Sequence, residues 1–543
     1  MHNIWNKYKI LVLTSLIVAA IALPWFFHSG YIFLVDFVWG PHIMLLWSDN
    51  WFLLNLAVRI LAFIFPVALL QKLFVAAILF ILLWSGRRLA SQFVTEDPWL
   101  AFVVSLFGLF NPFVYDRLLY GQVGVVLSLA FFLATAAFLI EAYRTHQGKS
   151  LVFAGVFSAL AIMFTPHFIF FLIPLFALFQ ILVLLNRKKF SFKKTFLYLL
   201  LTPIIIVVLN ANWIYANLSV QSRAGALIQQ GIQRQDLVAF QTSGKTGGEA
   251  LRNVAIMSGF WGKDQFRYID LTKIPNGYGL SFLFLLPLVM WGVYTAIRRR
   301  ETRGLGIGLL ILYMLAIFLA VGIRLPVARE ITYWLFDHLP LYKGLRETQK
   351  WVSVEVIIYL IFLAIGAREF FRTKFIRENG MVFKLLLAAI IFMQAPLLLW
   401  GFRGQAKISQ YPSDWYQANR FISQDSGCKN NTLVLPWHLY LHLNFAPGVV
   451  ANPANQFFTC KTFQGTNMEF GGIYNNDPNP DSKIIEQWIS QRGATDLLTA
   501  NRLNIQYIIL GKDVDWKNYL WLNSLPNLKL VQDTPTLKVY KLQ

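Results

Sequence analysis

Apolar stretches of membrane-crossing length recur along the first 400 residues of this chain, and the gaps between them are alternately basic and sparsely charged. The basic gaps are Lys7 to Lys9, Arg87-Arg88, Arg144 to Lys149, Arg187 to Lys194, Arg298 to Arg303 and Arg368 to Arg377. Short basic segments are poorly translocated and stay on the cytoplasmic side. The intervening gaps are therefore expected on the other face, and that is where function is sought. Of 543 residues, 57% are hydrophobic and only 14% charged, with a mean hydropathy of +0.52. A soluble protein of this length needs far more charge to cover its surface.

A net charge of +21 would suit a nucleic-acid partner. Much of the basic excess, however, sits in short loops beside apolar runs, so topology explains it and no nucleic acid is expected. The first apolar run, Ile10 to Phe26, follows a basic start as a signal peptide would. No small-residue cleavage site follows, and the run reads as a retained anchor.

A helix crosses about 30 Å of hydrocarbon with roughly 20 apolar residues. Eleven spans are expected, near 10–26, 67–84, 98–114, 123–142, 151–165, 168–185, 195–214, 278–297, 305–323, 351–367 and 382–401. The fifth and sixth come from one long apolar run split at Thr165-Pro-His167, since proline disfavours helix continuation. The split also keeps the basic loops at 144–149 and 187–194 on one side. An odd number of spans places the N-terminus inside and the C-terminus outside. The fold class expected is thus an α-helical polytopic membrane protein with a cell-membrane location. Residues 1–401 form its membrane domain and residues 402–543 an extracytoplasmic α/β domain.

That tail is polar and rich in Asn and Pro. Thr432-Leu-Val-Leu435 and Tyr507-Ile-Ile-Leu510 read as strands, Leu528 to Lys541 as two more, and Trp415 to Ile422 and Ser482 to Ile489 as helices. The only cysteines, Cys428 and Cys460, both fall there, and an exported compartment permits a disulfide between them. Two buried thiols are the alternative. No Cys/His cluster has metal-ligand spacing, and Walker, Rossmann and G-x-S-x-G patterns are absent.

In the first outer loop, 27–66, the stretch Asn50 to Phe65 is amphipathic and contains Arg59, which suits a helix lying along the interface. Asp36 sits in Gly30-Tyr-Ile-Phe-Leu-Val-Asp-Phe-Val-Trp-Gly-Pro41, an apolar and aromatic setting. Partial desolvation there raises a carboxylate's basicity and makes Asp36 a candidate general base. An interfacial Asp that caps the next helix or merely meets water is the alternative. Asp116 and Arg117 are adjacent charges in an otherwise apolar stretch, where they pair with each other or with neighbouring helices. Arg346 and Lys350 precede the tenth span, with Glu355 one to two turns further on. Two cations there suit a phosphate, unless they serve to neutralise Glu347 and Glu355. Arg267 and Asp270 read as a loop anchor, and His167 as a polar turn residue.

An acid just after the first span, an amphipathic helix in the same loop, many spans and a terminal external domain together resemble the GT-C glycosyltransferases. The segments Phe110-Asn-Pro-Phe-Val-Tyr-Asp-Arg-Leu-Leu-Tyr-Gly-Gln122 and Leu345-Arg-Glu-Thr-Gln-Lys-Trp351 are similar to parts of the membrane domain of mycobacterial-type arabinofuranosyltransferases and their bacterial relatives. The resemblance implies a polyprenyl-phosphate-linked sugar as donor, a glycan acceptor at the envelope and inversion at the anomeric carbon. It places the catalytic base at Asp36. The layout offers Arg117, Arg346 or Lys350 to the leaving phosphate, with Asp116 and Glu355 as further substrate-site candidates. Many members of that family carry a second acid beside the base, or a D-x-D pair for a metal. Here Asp49 is the only other acid of the loop, so the cofactor is unknown and a divalent cation has no such motif to hold it. A transporter or flippase for a lipid-linked saccharide also fits many spans with buried charges, as does a non-enzymatic envelope-assembly protein. Transporters favour repeat symmetry and mid-membrane charge, whereas the unusual polar residues here collect toward one face.

Overall fold

The computed structural model describes residues 2–186, 192–218, 231–274, 278–470, 473–475, 479–493 and 503–543. The chain forms two compact units. One is helical and comprises Met1–Leu23, Phe74–Tyr215 and Phe240–Gln405; the other bears the sheet and comprises Pro24–Leu73, Ala216–Ala239 and Ala406–Gln543. The second unit thus reaches beyond the expected tail of 402–543. The cause is backbone pairing: Tyr31–Ile32 forms an antiparallel ladder with Ile408–Ser409. The side-chain amide of Gln71 closes both polar groups of Ile32, at 2.8 and 2.9 Å.

Seven helices are long and apolar enough to cross a membrane, and three bent pairs raise the number to ten among the described residues. Helices suit such a setting because each satisfies its own backbone polar groups. The expected span outside this count is the fifth, an apolar helix of only 17 residues, Gly148–Phe164, or about 25 Å at 1.5 Å per residue. Val123–Thr145 and Thr348–Arg372 are wholly buried along their apolar windows, whereas Tyr8–Phe26 and Gly279–Arg298 are mostly uncovered. Gly292 and Gly366 let the helices Tyr278–Arg298 and Val352–Arg372 meet backbone to backbone. A Cβ on either would fall within 2 Å of a carbonyl of the other helix.

Gln92, Arg144, Asn186, Arg299 and Arg368 line one cavity, so five helix ends, three of them bearing arginine, gather at one end of the helical unit. Residues 148–185 must therefore leave that end and return to it, as the expected split requires. The turn falls at Thr165, extended before Pro166 at φ −147° and ψ 99°. Arg187 to Lys189 lie outside the described residues.

Strands β1 (Asn431–Leu435), β2 (Thr462–Phe463), β3 (Ile505–Gly511), β4 (Leu528–Asp533) and β5 (Leu537–Leu542) form a five-stranded sheet in the order β4-β5-β3-β1-β2. β1 runs parallel to both β2 and β3, while β5 is antiparallel to β3 and β4. The apolar runs expected at 432–435 and 507–510 are adjacent, Leu433 opposite Ile508 and Leu435 opposite Leu510. Their buried side chains pack with Ile485 and Trp488 of the helix Pro480–Ser490. The other expected helix is Ser413–Ser426. Cys428 and Cys460 are joined by a disulfide across 32 residues, a closure worth about 3–4 kcal/mol on the chain-entropy account. The amphipathic stretch is the helix Phe52–Leu61, continued by Phe63 and Ile64; Leu53, Leu56, Ile60, Phe63 and Ile64 are exposed, so its apolar side has no protein cover.

Candidate active site

Asp36 stands in the sheet-bearing unit at the tip of a tight turn. Leu34 and Phe37 close the turn by exchanging both backbone hydrogen bonds, at 3.1 and 3.2 Å. The turn is fastened by Ala451, whose N–H donates to the Val35 carbonyl at 2.8 Å. The Tyr440 hydroxyl donates to Asp36 Oδ1 at 2.7 Å. Tyr31 to Val35 and Phe37 point into the protein, but Asp36 itself is exposed. The desolvation expected from its apolar neighbours is therefore not supplied by the fold: in a tight turn those neighbours face the core and the tip residue faces out. Burial acts on Asp49 instead and pushes its carboxyl up, against the lowering effect of hydrogen bonds from Trp51 N–H at 3.0 Å and the Asn55 amide at 3.1 Å.

Tyr440 lies 404 residues from Asp36, and no sequence signal joins them. A second feature not foreseen from sequence is His438, on the same segment as Tyr440. Its ring nitrogens meet Glu469 at 2.9 Å and Asp515 at 3.2 Å. Among the described residues no three His, Cys, Asp or Glu converge as a metal site.

The other five expected residues belong to the helical unit. Asp116 and Arg117 ride on the short helix Pro112–Tyr120. Its start is set by the Asn111 side chain, which accepts from Val114 N–H at 3.0 Å, and by Pro112 in the first position. Adjacent residues on a helix do not face each other, so the two charges separate. The Arg117 guanidinium is fully buried, bonds to the side chains of Gln122 and Gln349, and meets Glu347 at 2.5 Å. Lys350 reaches the same carboxylate at 3.1 Å, and Trp261 Nε1 donates to it at 3.0 Å. Burial alone would raise the Glu347 carboxyl. The Lys350 ammonium and the Arg117 guanidinium outweigh burial and hold it well below the usual carboxylate range.

Lys350 and Arg117 thus share one counter-ion, and neither is an uncommitted phosphate ligand. Arg346 is half-buried, stacks over Phe240 at 4.8 Å and has no carboxylate partner among the described residues. Glu355 is buried with neither oxygen hydrogen-bonded, so the expected neutralisation by Arg346 or Lys350 reaches Glu347 only. Asp116 interacts with Lys263 and Tyr268, and its Oδ2 has no hydrogen-bond partner.

Lys263 connects this cluster to a cavity of about 1130 Å³ within the helical unit. Five cations, Lys245, Arg252, Lys263, Lys273 and Arg324, line it against the carboxylates Glu249, Asp264 and Asp270. Ser243 Oγ donates to Asp264 at 2.6 Å, and Lys263 Nζ donates to the Ser258 carbonyl at 3.0 Å. One wall is apolar: Leu280, Phe282, Leu283 and Leu286, all from the spanning helix Gly279–Arg298. Sequence reading reached this region only through Asp270. Its remaining polar wall comes from a long loop in which lysines and acids look like ordinary solvated charge.

The chain joins a bundle of spanning helices to an α/β unit, and this fold recurs in a solved membrane protein. Among solved structures it is shared by the arabinofuranosyltransferase AftD from mycobacteria, at a TM-score of 0.58 and 13% identity over 99% of this chain and 40% of that one. A mutant form of AftD gives 0.56 and 12%, over 99% and 41%. The chain therefore spans about two fifths of AftD's length. The oligosaccharyltransferase AglB from Archaeoglobus fulgidus, solved with an inhibitory peptide and a dolichol-phosphate, aligns over 99% of this chain and 74% of its own. Its identity is 12% and its TM-score 0.45, too distant to argue from. No protein-family model matches the sequence, and no curated protein does.

Proposed function

We propose that this protein is an inverting glycosyltransferase that moves a sugar from a polyprenyl-phosphate donor to an envelope glycan or another extracytoplasmic acceptor. The observation that carries the reading is the 1130 Å³ cavity, whose lining is cationic and carboxylate-rich on one side and apolar along a spanning helix on the other. Such a lining matches a ligand with a phosphate, sugar hydroxyls and a hydrocarbon chain. AftD, which shares the fold, is named as an arabinofuranosyltransferase; the sugar moved here is left open.

In the proposed reaction Asp36 accepts the proton of an acceptor hydroxyl while that oxygen bonds to the anomeric carbon. The bond from that carbon to the phosphate oxygen breaks, and polyprenyl phosphate leaves with the electron pair. Charge grows on the phosphate as it departs, and cations fixed in advance stabilise it. Within the helical unit, the donor's phosphate is assigned to the cavity's Lys245, Arg252 and Lys273 in place of Lys350. Asp264 and Asp270 accept from sugar hydroxyls.

The binding step is tested with undecaprenyl monophosphate as probe and the full chain in mild detergent, read by native mass spectrometry. Lys245→Ala with Arg252→Ala, both exposed positions, should weaken binding at least about tenfold, the scale of a lost charge-assisted contact. Binding equal to wild type would place the phosphate elsewhere. Orientation is part of the same proposal: the basic loops face the cytoplasm and the sheet-bearing unit faces out. A reporter fused after Gln543 should be accessible only from outside intact cells, and cytoplasmic activity of that reporter would overturn the orientation.

A further inference from the structure

Backbone contacts lead in two steps from the strand that bears Tyr440 to the turn that bears Asp36, all within the sheet-bearing unit. Tyr440–His442 pairs antiparallel with Val449–Ala451, and Tyr440 lies opposite Ala451. Ala451 N–H in turn donates to the Val35 carbonyl at 2.8 Å. The spacing from Tyr440 to the turn is thus set by the main chain. Upstream of Tyr440 the chain is held as firmly. Asn452 N–H donates to the Leu439 carbonyl at 2.7 Å, and its side-chain amide donates to the His438 carbonyl at 3.2 Å. The His438 ring is itself gripped by Glu469 and Asp515.

Residues directly opposite each other in an antiparallel pair share a face, and on this face Ala451 presents only a methyl. Leu441, on the other face, is buried, which fixes the roll of the strand and leaves Tyr440 half-buried. Its hydroxyl reaches Asp36 Oδ1 at 2.7 Å, the length of a charge-assisted contact. The turn does not need this contact to keep its shape. Leu34 and Phe37 already exchange both backbone hydrogen bonds, and Val35 is fastened to Ala451. Because Asp36 is exposed, the hydroxyl replaces a water that would otherwise satisfy the carboxylate, and it adds little to stability. What it changes is freedom. A carboxylate at the tip of a turn rotates about two side-chain bonds, and fixing one oxygen fixes the plane of the whole group. A base held in one orientation meets an acceptor hydroxyl along one approach, and such orientation is a large part of what a positioned group contributes.

We infer that Tyr440 is a positioning residue for the proposed base: it orients the Asp36 carboxylate toward the acceptor hydroxyl and touches neither donor nor acceptor. The inference rests on the reading of Asp36 as the base. Tyr440 keeps its own proton throughout, and the acceptor's proton goes to Asp36.

The test uses the full chain and a panel of radiolabelled polyprenyl-phosphate sugars, with membranes of the source cells lacking the chromosomal copy as acceptor. The sugar that wild type transfers is the probe for the variants. Tyr440→Phe keeps the ring and removes the hydrogen-bond donor. It should lower kcat roughly 10–100-fold and leave the thermal midpoint, the donor KM and the half-saturating amount of acceptor as in wild type. In an Asp36→Asn background the same change should cost nothing further, because Tyr440 acts only through Asp36. Unchanged kcat in Tyr440→Phe, a lowered midpoint that accounts for the loss, a raised KM, or an added loss in the double variant would each overturn the inference and leave Asp36 as the base. Near-normal transfer by Asp36→Asn, or no sugar transferred by wild type, would instead remove the reading on which it rests.

Discussion

Replacing Glu347 by glutamine should destabilise the helical unit by about 3–5 kcal/mol, the cost of breaking a buried ion pair by removing one partner. Glutamine keeps the size and can still accept the Trp261 N–H, which sits 3.0 Å from the present carboxylate. It cannot balance Arg117, which is wholly buried, or Lys350, which is nearly so. Both cations would then share a pocket with no counter-charge. Acid should not mimic the substitution. A carboxyl held below its unfolded value contributes stability above the unfolded value and loses it only as pH falls through the folded one. Because Lys350 and Arg117 hold Glu347 far below the carboxylate range, this contribution persists at any pH at which the protein is ordinarily handled. Thermal unfolding in detergent between pH 5 and pH 8 measures both points. A Glu347→Gln variant that melts with wild type, or a wild-type protein that loses this contribution by pH 5, would show that the network is not what secures Arg117.

The spans, the strands at 432–435 and 507–510 and the disulfide were legible because each depends on a local signal: apolar length, β-branched runs, or two cysteines in one exported segment. The cavity that joins Arg144, Asn186, Arg299 and Arg368 brings the ends of four of those helical segments together within the helical unit. What sequence missed depends on contacts between distant residues. Val35 accepts from Ala451 and Tyr31 pairs with Ser409, so the segment read as an outer loop of the membrane domain packs with the sheet-bearing unit. Arg117 and Lys350 looked like phosphate ligands because their shared partner, Glu347, lies 230 residues from one and three from the other. Burial of Asp36 was inferred from its neighbours' polarity, but a two-residue turn sends alternate side chains to opposite sides. The apolar setting was real and the carboxylate points away from it.

Asp36→Asn should cut sugar transfer by roughly 10²–10⁴-fold, the usual cost of losing a positioned general base, while the protein inserts, folds and binds polyprenyl phosphate as before. Asparagine retains an oxygen to accept from Tyr440, now 2.7 Å from Asp36 Oδ1, so the turn and its hydrogen bond survive. The capacity to take a proton is lost. Asp36 is exposed, so the substitution removes no side chain from a core. Asp49, the other acid of the segment, supplies the contrast. Its carboxylate is occupied locally by Trp51 N–H and the Asn55 amide, so Asp49→Asn should leave transfer within a few-fold of wild type. The assay is transfer from a defined polyprenyl-phosphate sugar to a defined acceptor, with donor binding measured in parallel. If Asp36→Asn transfers at a near-normal rate, the base lies elsewhere, and Asp116, with an unbonded buried oxygen beside Lys263, becomes the acid to change. If no acid of the chain affects chemistry while lipid-linked sugar still crosses the membrane, the chain is a transporter.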